Sequence, residues 1–183
     1  MGLFGELEQK RAANARGLAA FGLKKPAIDG VRVIREGSGP AVYTIGYERR
    51  DGDELTSVLR GHGITALADV RERPTSRKAD FRAAALQAFC ANAGIEYQPW
   101  PSLGSTVEQR EELQASGNFG NFRRRFREHA DRVMRAHLDK LAESAKLKTT
   151  ALLCYERLHE DCHRSVLAEL VAERIDATIL AIQ

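Results

Sequence analysis

The sequence predicts an α/β fold, in which a mainly parallel, doubly wound sheet of about five strands carries helices on both faces. Short apolar runs of strand length alternate along the chain with longer stretches whose apolar residues recur at helical spacing. Glycines follow several of these helical stretches, as they do at helix C-termini. Because such an alternation implies right-handed crossovers, we expect the strands to lie side by side and in parallel.

Five apolar runs predict the strands, at residues 41–45, 64–70, 95–98, 149–154 and 177–182. Between the first two, residues 53–60 carry leucines and a valine on one helical face, and Gly61 ends that helix. Residues 81–92 form the next helix, which Gly94 ends. The last helix begins after Cys162, where apolar residues again recur at helical spacing.

Two segments lie outside this alternation. The first is an N-terminal helical extension over residues 1–40, with an amphipathic helix at residues 1–22, and the α/β domain then spans residues 41–183. The second, at about residues 107–146, predicts an insertion of two helices before the fourth strand. Such an insertion can act as a lid or an interface. The N-terminal helix can pack on the sheet or on a second subunit, which leaves a homo-oligomer open.

Composition limits the classes of protein to which the chain can belong. It has 183 residues, of which 43% are hydrophobic and 29% charged, and this is enough for one full core. The formal net charge of +3 is compatible with an anionic partner but far below that of a dedicated nucleic-acid coat. No apolar stretch approaches the roughly 18 residues that span a bilayer, so we expect a cytoplasmic protein with no membrane partner. Three cysteines are too few for a disulfide framework, which favours reduced thiols with a metal, redox or catalytic role.

The ends of the predicted strands gather the residues with chemical function. Open parallel sheets bind ligands at the carboxyl edge of their strands, and a helix N-terminus at that edge favours anions. The run from residue 152 to residue 165 (LLCYERLHEDCHRS) crosses this edge and holds two cysteines and two histidines. Cys162 directly precedes a predicted helix, whose N-terminus can lower the pKa of a thiol. The polar or reactive residues at the strand ends are Gly46, Tyr47, Asp69, Arg71, Cys154, Tyr155 and Glu156.

Several segments of the chain resemble one family. They are TIGY at 44–47, DVRERPTSR at 69–77, YQPWPSLG at 97–104, LLCYE at 152–156 and CHR at 162–164. In this order and at this spacing they resemble the motif set of the bacterial and archaeal family called domain of unknown function 488, from about residue 42 to the C-terminus. The resemblance supports the α/β fold and a site at these motifs, and it implies no particular reaction.

The first functional hypothesis is a cysteine-dependent enzyme, of transferase or hydrolase type, that acts on an anionic substrate. Cys154 or Cys162 would supply the thiolate nucleophile. His163 or His159 would be its proton partner, and Glu156 an acid, a base or an orienting group. Arginine side chains would supply paired N–H donors suited to phosphate, sulfate or carboxylate, and one serine would add a hydroxyl. These residues are Arg71, Arg73, Arg77, Arg164 and Ser76. Arg164 lies ten positions after Cys154 with no glycine between them, which argues against the tight anion loop of rhodaneses and phosphatases.

Structural roles compete with three of these assignments. Asp69 can hold Arg71 in a structural ion pair, and Cys154 can be a small buried side chain at the end of a strand. Cys90 falls on an apolar helix face with Leu86 and Phe89, so we assign it to the core.

A metal site is the second hypothesis. Cys154, Cys162 and His163, with Glu156 or His159 as a fourth group, offer ligands that zinc or iron accept. The spacing disfavours this site, because the adjacent Cys162 and His163 do not readily direct both side chains at one ion. The sequence itself requires no cofactor. A disulfide between Cys154 and Cys162 is a third arrangement, which needs Cα atoms within roughly 7 Å.

A nucleic-acid module is the remaining hypothesis. Residues 118–129 (NFGNFRRRFREH) interleave phenylalanines with arginines, as surfaces that stack bases and bind phosphates do. However, Phe119, Phe122 and Phe126 recur at the spacing of a buried helix face, with the arginines on its solvated side. We favour this packing role, and the arginines can still overhang the strand-end site and bring in a nucleotide or nucleic-acid substrate.

Overall fold

The computed structural model describes residues 30–183, which form one sheet with helices on both faces. The strands are β1 (Val31–Arg35), β2 (Ala41–Gly46), β3 (Ala66–Asp69), β4 (Glu96–Pro99), β5 (Thr150–Cys154) and β6 (Thr178–Ile182). The helices are α1 (Gly52–Gly61), α2 (Ala83–Asn92), α3 (Val107–Ser116), α4 (Phe119–Val133), α5 (Arg135–Leu147) and α6 (His163–Ile175). Within this part of the chain, none of the helices is both long enough and apolar enough to cross a membrane.

The strand order is β1-β6-β2-β5-β3-β4, and every neighbouring pair is parallel except β1 with β6. The predicted α/β class with a mainly parallel sheet is therefore confirmed. All five predicted strands are present, and β1 is a sixth that the sequence analysis did not predict. It lies in the segment assigned to the N-terminal extension, so the sheet begins before residue 41. The helix predicted over residues 1–22 lies outside the described residues.

Side chains of the central strands alternate between two apolar cores. On β2, Val42 packs into one core, while Tyr43 and Ile45 pack into the other. The first core is completed by α4, α5 and α6, and the second by α1 and α2. Cys90 of α2 is fully buried in the second core, as predicted. Because both faces are covered, the polar edge at the strand ends is where ligands can reach the sheet.

The insertion between β4 and β5 contains three helices, α3, α4 and α5, where the sequence analysis predicted two. Thr106 begins α3 with a capping box that Gln109 completes. Gly117 ends α3 in the left-handed conformation, with a φ of 62° that favours glycine. Asn118 then caps α4 through its side chain. These adjacent cap signals split a region that reads as continuously helical by its apolar pattern alone.

The phenylalanines of α4 pack inward, as we favoured from their spacing. Phe126 is fully buried and Phe122 is nearly so. The arginines on the opposite side are neutralised by ion pairs. Arg123 bonds Glu169 of α6 at 2.7 Å and Arg127 bonds Glu173 at 2.7 Å, while Arg125 pairs with Glu112 of α3. These pairs occupy the side chains that the sequence suggested for phosphate contacts.

Candidate functional site

The carboxyl ends of β2, β5 and β3 lie side by side at the centre of the sheet. Gly46 is paired in register with Cys154, and Asp69 with Leu153. The sheet therefore brings together the strand ends at which the sequence predicted chemistry. The loop between β5 and α6 folds back over this edge.

Two predicted binding residues hold this loop in place. A Cβ atom on Gly46 would lie 1.9 Å from the carbonyl oxygen of Glu156, so only glycine lets the loop approach β2 this closely. Arg164 is fully buried and donates hydrogen bonds to the carbonyl oxygens of Glu156 at 2.5 Å and Arg157 at 3.0 Å. Since both residues contact the loop backbone, they shape the site from beneath.

His159 belongs to the same loop, and its imidazole contacts β2. Its Nδ1 is 2.9 Å from the hydroxyl of Thr44, and both side chains are buried. Burial and the nearby charge of Arg164 lower the pKa of His159 to about 4, so this imidazole is neutral near pH 7. The histidine that contacts the cysteines is His163.

Cys154, Cys162 and His163 form a buried cluster. Nδ1 of His163 lies 3.7 Å from Sγ of Cys154 and 3.7 Å from Sγ of Cys162. All three of these atoms lie within 4.8 Å of one another. Nε2 of His163 lies 2.9 Å from the carbonyl oxygen of Val70, which can only accept, so Nε2 carries the proton and donates. The lone pair of Nδ1 then points between the two sulfur atoms.

Local backbone geometry explains how two adjacent residues reach one point. Cys162 is the N-cap of α6 with an extended backbone, at φ −134° and ψ 143°, and His163 is the first helical residue. The change from extended to helical backbone turns the two side chains toward each other rather than to opposite sides. We expected that adjacent Cys162 and His163 would not readily direct both side chains at one point, and this geometry contradicts that expectation.

Burial dominates the electrostatics of the cluster. It raises the pKa of the Cys162 thiol, and a hydrogen bond with Cys154 adds to this, despite the position of Cys162 at a helix N-terminus. We expected the helix to lower this pKa, and desolvation outweighs that effect. Burial alone would lower the pKa of His163, but the neighbouring Cys162 and the Val70 carbonyl raise it overall.

A cavity of about 290 Å³ opens onto the cluster. Of the predicted site residues, it is lined by Tyr47, Arg71, Arg73, Cys154, Tyr155, Glu156, Cys162 and His163. The sequence analysis did not assign the other lining residues to the site, which are Glu72, Thr75, Ser105, Arg110, Leu113, Phe119, Phe122 and Asp161. Ser76 and Arg77 lie outside the lining, where the Ser76 hydroxyl accepts a hydrogen bond from the Lys78 backbone.

Glu156 is an acid in direct contact with the cluster. Its half-buried side chain lines the cavity, and Oε2 accepts a hydrogen bond from Sγ of Cys154 at 3.5 Å. Within residues 30–183, the ligand atoms that lie within 4.8 Å of one another are the sulfurs of Cys154 and Cys162 and one ring nitrogen of His163. The Glu156 carboxylate does not belong to this group. Glu156 therefore stands beside the cluster, on the cavity side.

Arg71 and Asp69 form a buried ion pair behind the cavity. Arg71 donates from Nε to Oδ1 of Asp69 at 2.8 Å and from Nη2 to Oδ2 at 2.5 Å. Its Nη1 donates to the Phe81 carbonyl at 2.8 Å and to the Tyr47 hydroxyl at 3.2 Å. Four of its five N–H groups are thus used within the protein. These bonds support the structural role of Arg71. With one N–H group left, its guanidinium cannot bind a substrate anion through a pair of hydrogen bonds.

Two further arginines stand at the cavity wall. Arg110 of α3 bonds Glu72 at 3.1 Å and also the Ser105 carbonyl. Arg73 is exposed, and its side chain makes no hydrogen bond or ion pair within residues 30–183. Arg73 is therefore the cation with the most freedom to meet a ligand.

Comparisons with known proteins add one finding. Residues 52–171 match the family described as Domain of unknown function DUF488. The matched segment contains every residue of the buried cluster. Comparison with curated proteins and with solved structures found no match.

Proposed function

This chain belongs to the family Domain of unknown function DUF488, and from that premise we propose that it is a metal-dependent enzyme. Its metal ion, zinc in the first place, is bound by Cys154, Cys162 and His163. Its substrate is a small molecule that enters the adjoining cavity and carries an anionic group.

The observation that carries this proposal is the spacing of the three ligand atoms. With Zn–S of about 2.3 Å and Zn–N of about 2.0–2.1 Å, tetrahedral coordination separates sulfur from nitrogen by about 3.6 Å. Both sulfur-to-Nδ1 distances in this cluster are 3.7 Å. Two of the three separations between ligand atoms thus already match those of a zinc site, and the third, between the two sulfurs, is at most 4.8 Å.

The surroundings of His163 favour the same function. Metal-binding histidines usually donate their second ring N–H to a carbonyl or carboxylate, which fixes the tautomer and the ring orientation. The bond from Nε2 to the Val70 carbonyl is of this kind. Two thiolate sulfurs and one imidazole nitrogen also favour zinc over harder ions such as magnesium, which prefer oxygen ligands.

A thiol enzyme is the second candidate, and the position of Cys154 favours it. Cys154 lines the cavity and has Nδ1 of His163 on one side and Glu156 on the other. A nucleophile, a base and an acid within hydrogen-bonding reach are the components of thiol catalysis. In this candidate Cys154 attacks the substrate and no metal is needed.

Metal titration separates the two candidates. The chelator-treated protein is titrated with zinc and, in parallel, with cobalt, whose thiolate-to-metal absorption reports sulfur coordination. We expect one equivalent of metal per chain, lost in Cys154→Ser, Cys162→Ser and His163→Ala. Cys90→Ala is the matched control, because Cys90 is buried in the second core and does not line the cavity.

Two outcomes would contradict the metal proposal. Absence of stoichiometric binding in the unsubstituted protein is one, and unchanged binding in Cys162→Ser is the other. If Cys154 is instead alkylated rapidly in both the presence and the absence of chelator, the thiol candidate takes its place.

A further inference from the structure

Glu156 is a carboxylate beside the cluster that the three-ligand site leaves unused. We infer that Glu156 is the proton acceptor for a water molecule on the fourth coordination position of the metal, and that the enzyme is a hydrolase of small esters or amides. This inference rests on the proposed metal site and adds the reaction type and a catalytic residue.

A metal held by these three side chains keeps one coordination position open. Zinc sites with four protein ligands are structural, whereas sites with three ligands keep the fourth position for water or substrate. Among the described residues, three ligand atoms converge, and each of their side chains lines the cavity. The fourth position therefore faces a space that a substrate can enter.

Glu156 lies close to this open position but does not occupy it. A fourth protein ligand would lie about 3.6 Å from each of the other three donor atoms. The Glu156 carboxylate is 3.5 Å from the Cys154 sulfur but lies outside the set of atoms within 4.8 Å of one another. It is thus close enough to contact a metal-bound water and is displaced from the point that a direct ligand would occupy.

Metal binding changes the hydrogen bonding of Glu156. In this structure the Glu156 carboxylate accepts a hydrogen bond from the Cys154 thiol. A metal-bound cysteine is a thiolate without that proton, so Glu156 loses this donor when the site is loaded. The carboxylate then faces the cavity with a free acceptor, as a general base requires.

These positions define a balanced reaction. The metal-bound water gives one proton to Glu156, and the resulting hydroxide attacks the carbonyl carbon of an ester or amide. The bond from this carbon to the leaving oxygen or nitrogen breaks, and Glu156 returns the proton to that atom. The products are a carboxylic acid and an alcohol or amine, with no change in oxidation state. Arg73, at the cavity wall, is placed to bind an anionic group on the substrate.

The test uses zinc-loaded protein and 4-nitrophenyl acetate as the probe. Turnover is followed beyond one equivalent, because a free thiol alone can release one nitrophenolate by acylation. We expect zinc-dependent turnover, and a fall of roughly 100-fold or more in kcat for Glu156→Gln with its zinc content unchanged. Glu160→Gln is the matched control, since Glu160 belongs to the same loop, pairs with Arg32 and lies outside the cavity lining.

The failures of the two proposals can be told apart. If Glu156→Gln loses zinc, Glu156 is a ligand, and if it keeps both zinc and turnover, Glu156 is not the base. Either result overturns the inference and leaves the metal site standing. Zinc-loaded protein that turns the ester over no faster than metal-free protein also overturns it. If the unsubstituted protein binds no zinc, the proposed function itself fails.

Discussion

Asp69→Asn is the substitution whose effect follows most directly from the structure. Asp69 is 1% exposed and Arg71 is 7% exposed, so the charge pair is almost completely removed from water. Asparagine keeps the shape of the side chain but removes the negative charge and one of the acceptor oxygens. Arginine remains protonated at all accessible pH values, and burial would then oppose its charge without compensation.

The size of the effect can be worked out from this geometry. Removing one partner of a buried ion pair costs about 3–5 kcal/mol, because the other charge stays buried and unpaired. Tyr97 also donates its hydroxyl to Oδ2 of Asp69 at 2.7 Å, and this bond is weakened as well. Since total stabilities are about 5–15 kcal/mol, Asp69→Asn is expected to remove a large share of the folding free energy.

Urea unfolding at neutral pH measures this loss, with Asp139→Asn as the matched control. Asp139 also pairs with an arginine, Arg174 at 2.7 Å, but its side chain is 57% exposed. An exposed pair contributes about 0–1 kcal/mol, so the control should unfold close to the unsubstituted protein. If Asp69→Asn costs less than about 1 kcal/mol, the same as the control, the ion pair does not support the fold and Arg71 is free for another role.

Three further predictions concern other parts of the molecule. Gly46→Ala should destabilise the protein by about 1–3 kcal/mol or more in thermal unfolding, because its Cβ would overlap the Glu156 carbonyl, while Gly30→Ala, with nothing within 4 Å, should not. His159 has a folded pKa of about 4, below its usual value of about 6.5, so the unfolded chain binds its proton first and stability falls as the pH drops through this window. The urea midpoint should therefore drop between pH 7 and pH 5, and His159→Gln should lose that part of the dependence. Burial raises the pKa of Cys90 to about 12, so iodoacetamide at pH 8 should leave Cys90 unmodified in the native protein. Peptide mass spectrometry measures this modification. Rapid labelling of the native protein would contradict the place of Cys90 in the core.

The sheet was largely predictable because its central strands are buried on both faces. Strands of this kind read as continuous apolar runs, as residues 149–154 do. The edge strand β1 was missed for the corresponding reason. Its sequence VRVIR mixes apolar with charged residues and is mostly half-buried, and it stands between Gly30 and the segment EGSG at residues 36–39, which reads as loop. Its pairing with β6 is a contact between the two ends of the described chain, which no local pattern reveals.

The sequence predicted where in the fold the candidate site lies, but not all of the residues that line its cavity. Cys154 and Glu156 follow a buried strand, and this placed them at the carboxyl edge from the sequence alone. Arg110 lies on α3, in an insertion whose packing the sequence does not fix, so its place at the cavity had no sequence signal. Asp161 stood within the run of residues 152–165 but carried no motif that set it apart from other acidic loop residues.

The arginines limit what substrate the site can take. Of the four predicted to bind an anion, Arg164 and Arg71 are used for internal hydrogen bonds, and Arg77 lies outside the cavity. This outcome follows from the chemistry of arginine, whose N–H groups satisfy buried carbonyl oxygens as readily as they bind phosphate. Arg73 therefore remains as the arginine of this set that lines the cavity and makes no side-chain hydrogen bond or ion pair with the described residues.

The charges around the cavity also favour a small substrate. Within residues 30–183, three arginines and three acidic residues line the cavity, the acids being Glu72, Glu156 and Asp161. A zinc ion with two thiolates adds no net charge to this balance. A cavity of this kind has no strong positive field, so it favours a substrate with a single anionic group at Arg73 over a polyanion such as nucleic acid. Polyanion binding would release many counterions and fall steeply with salt, and a shallow salt dependence of turnover is accordingly expected for the small substrate.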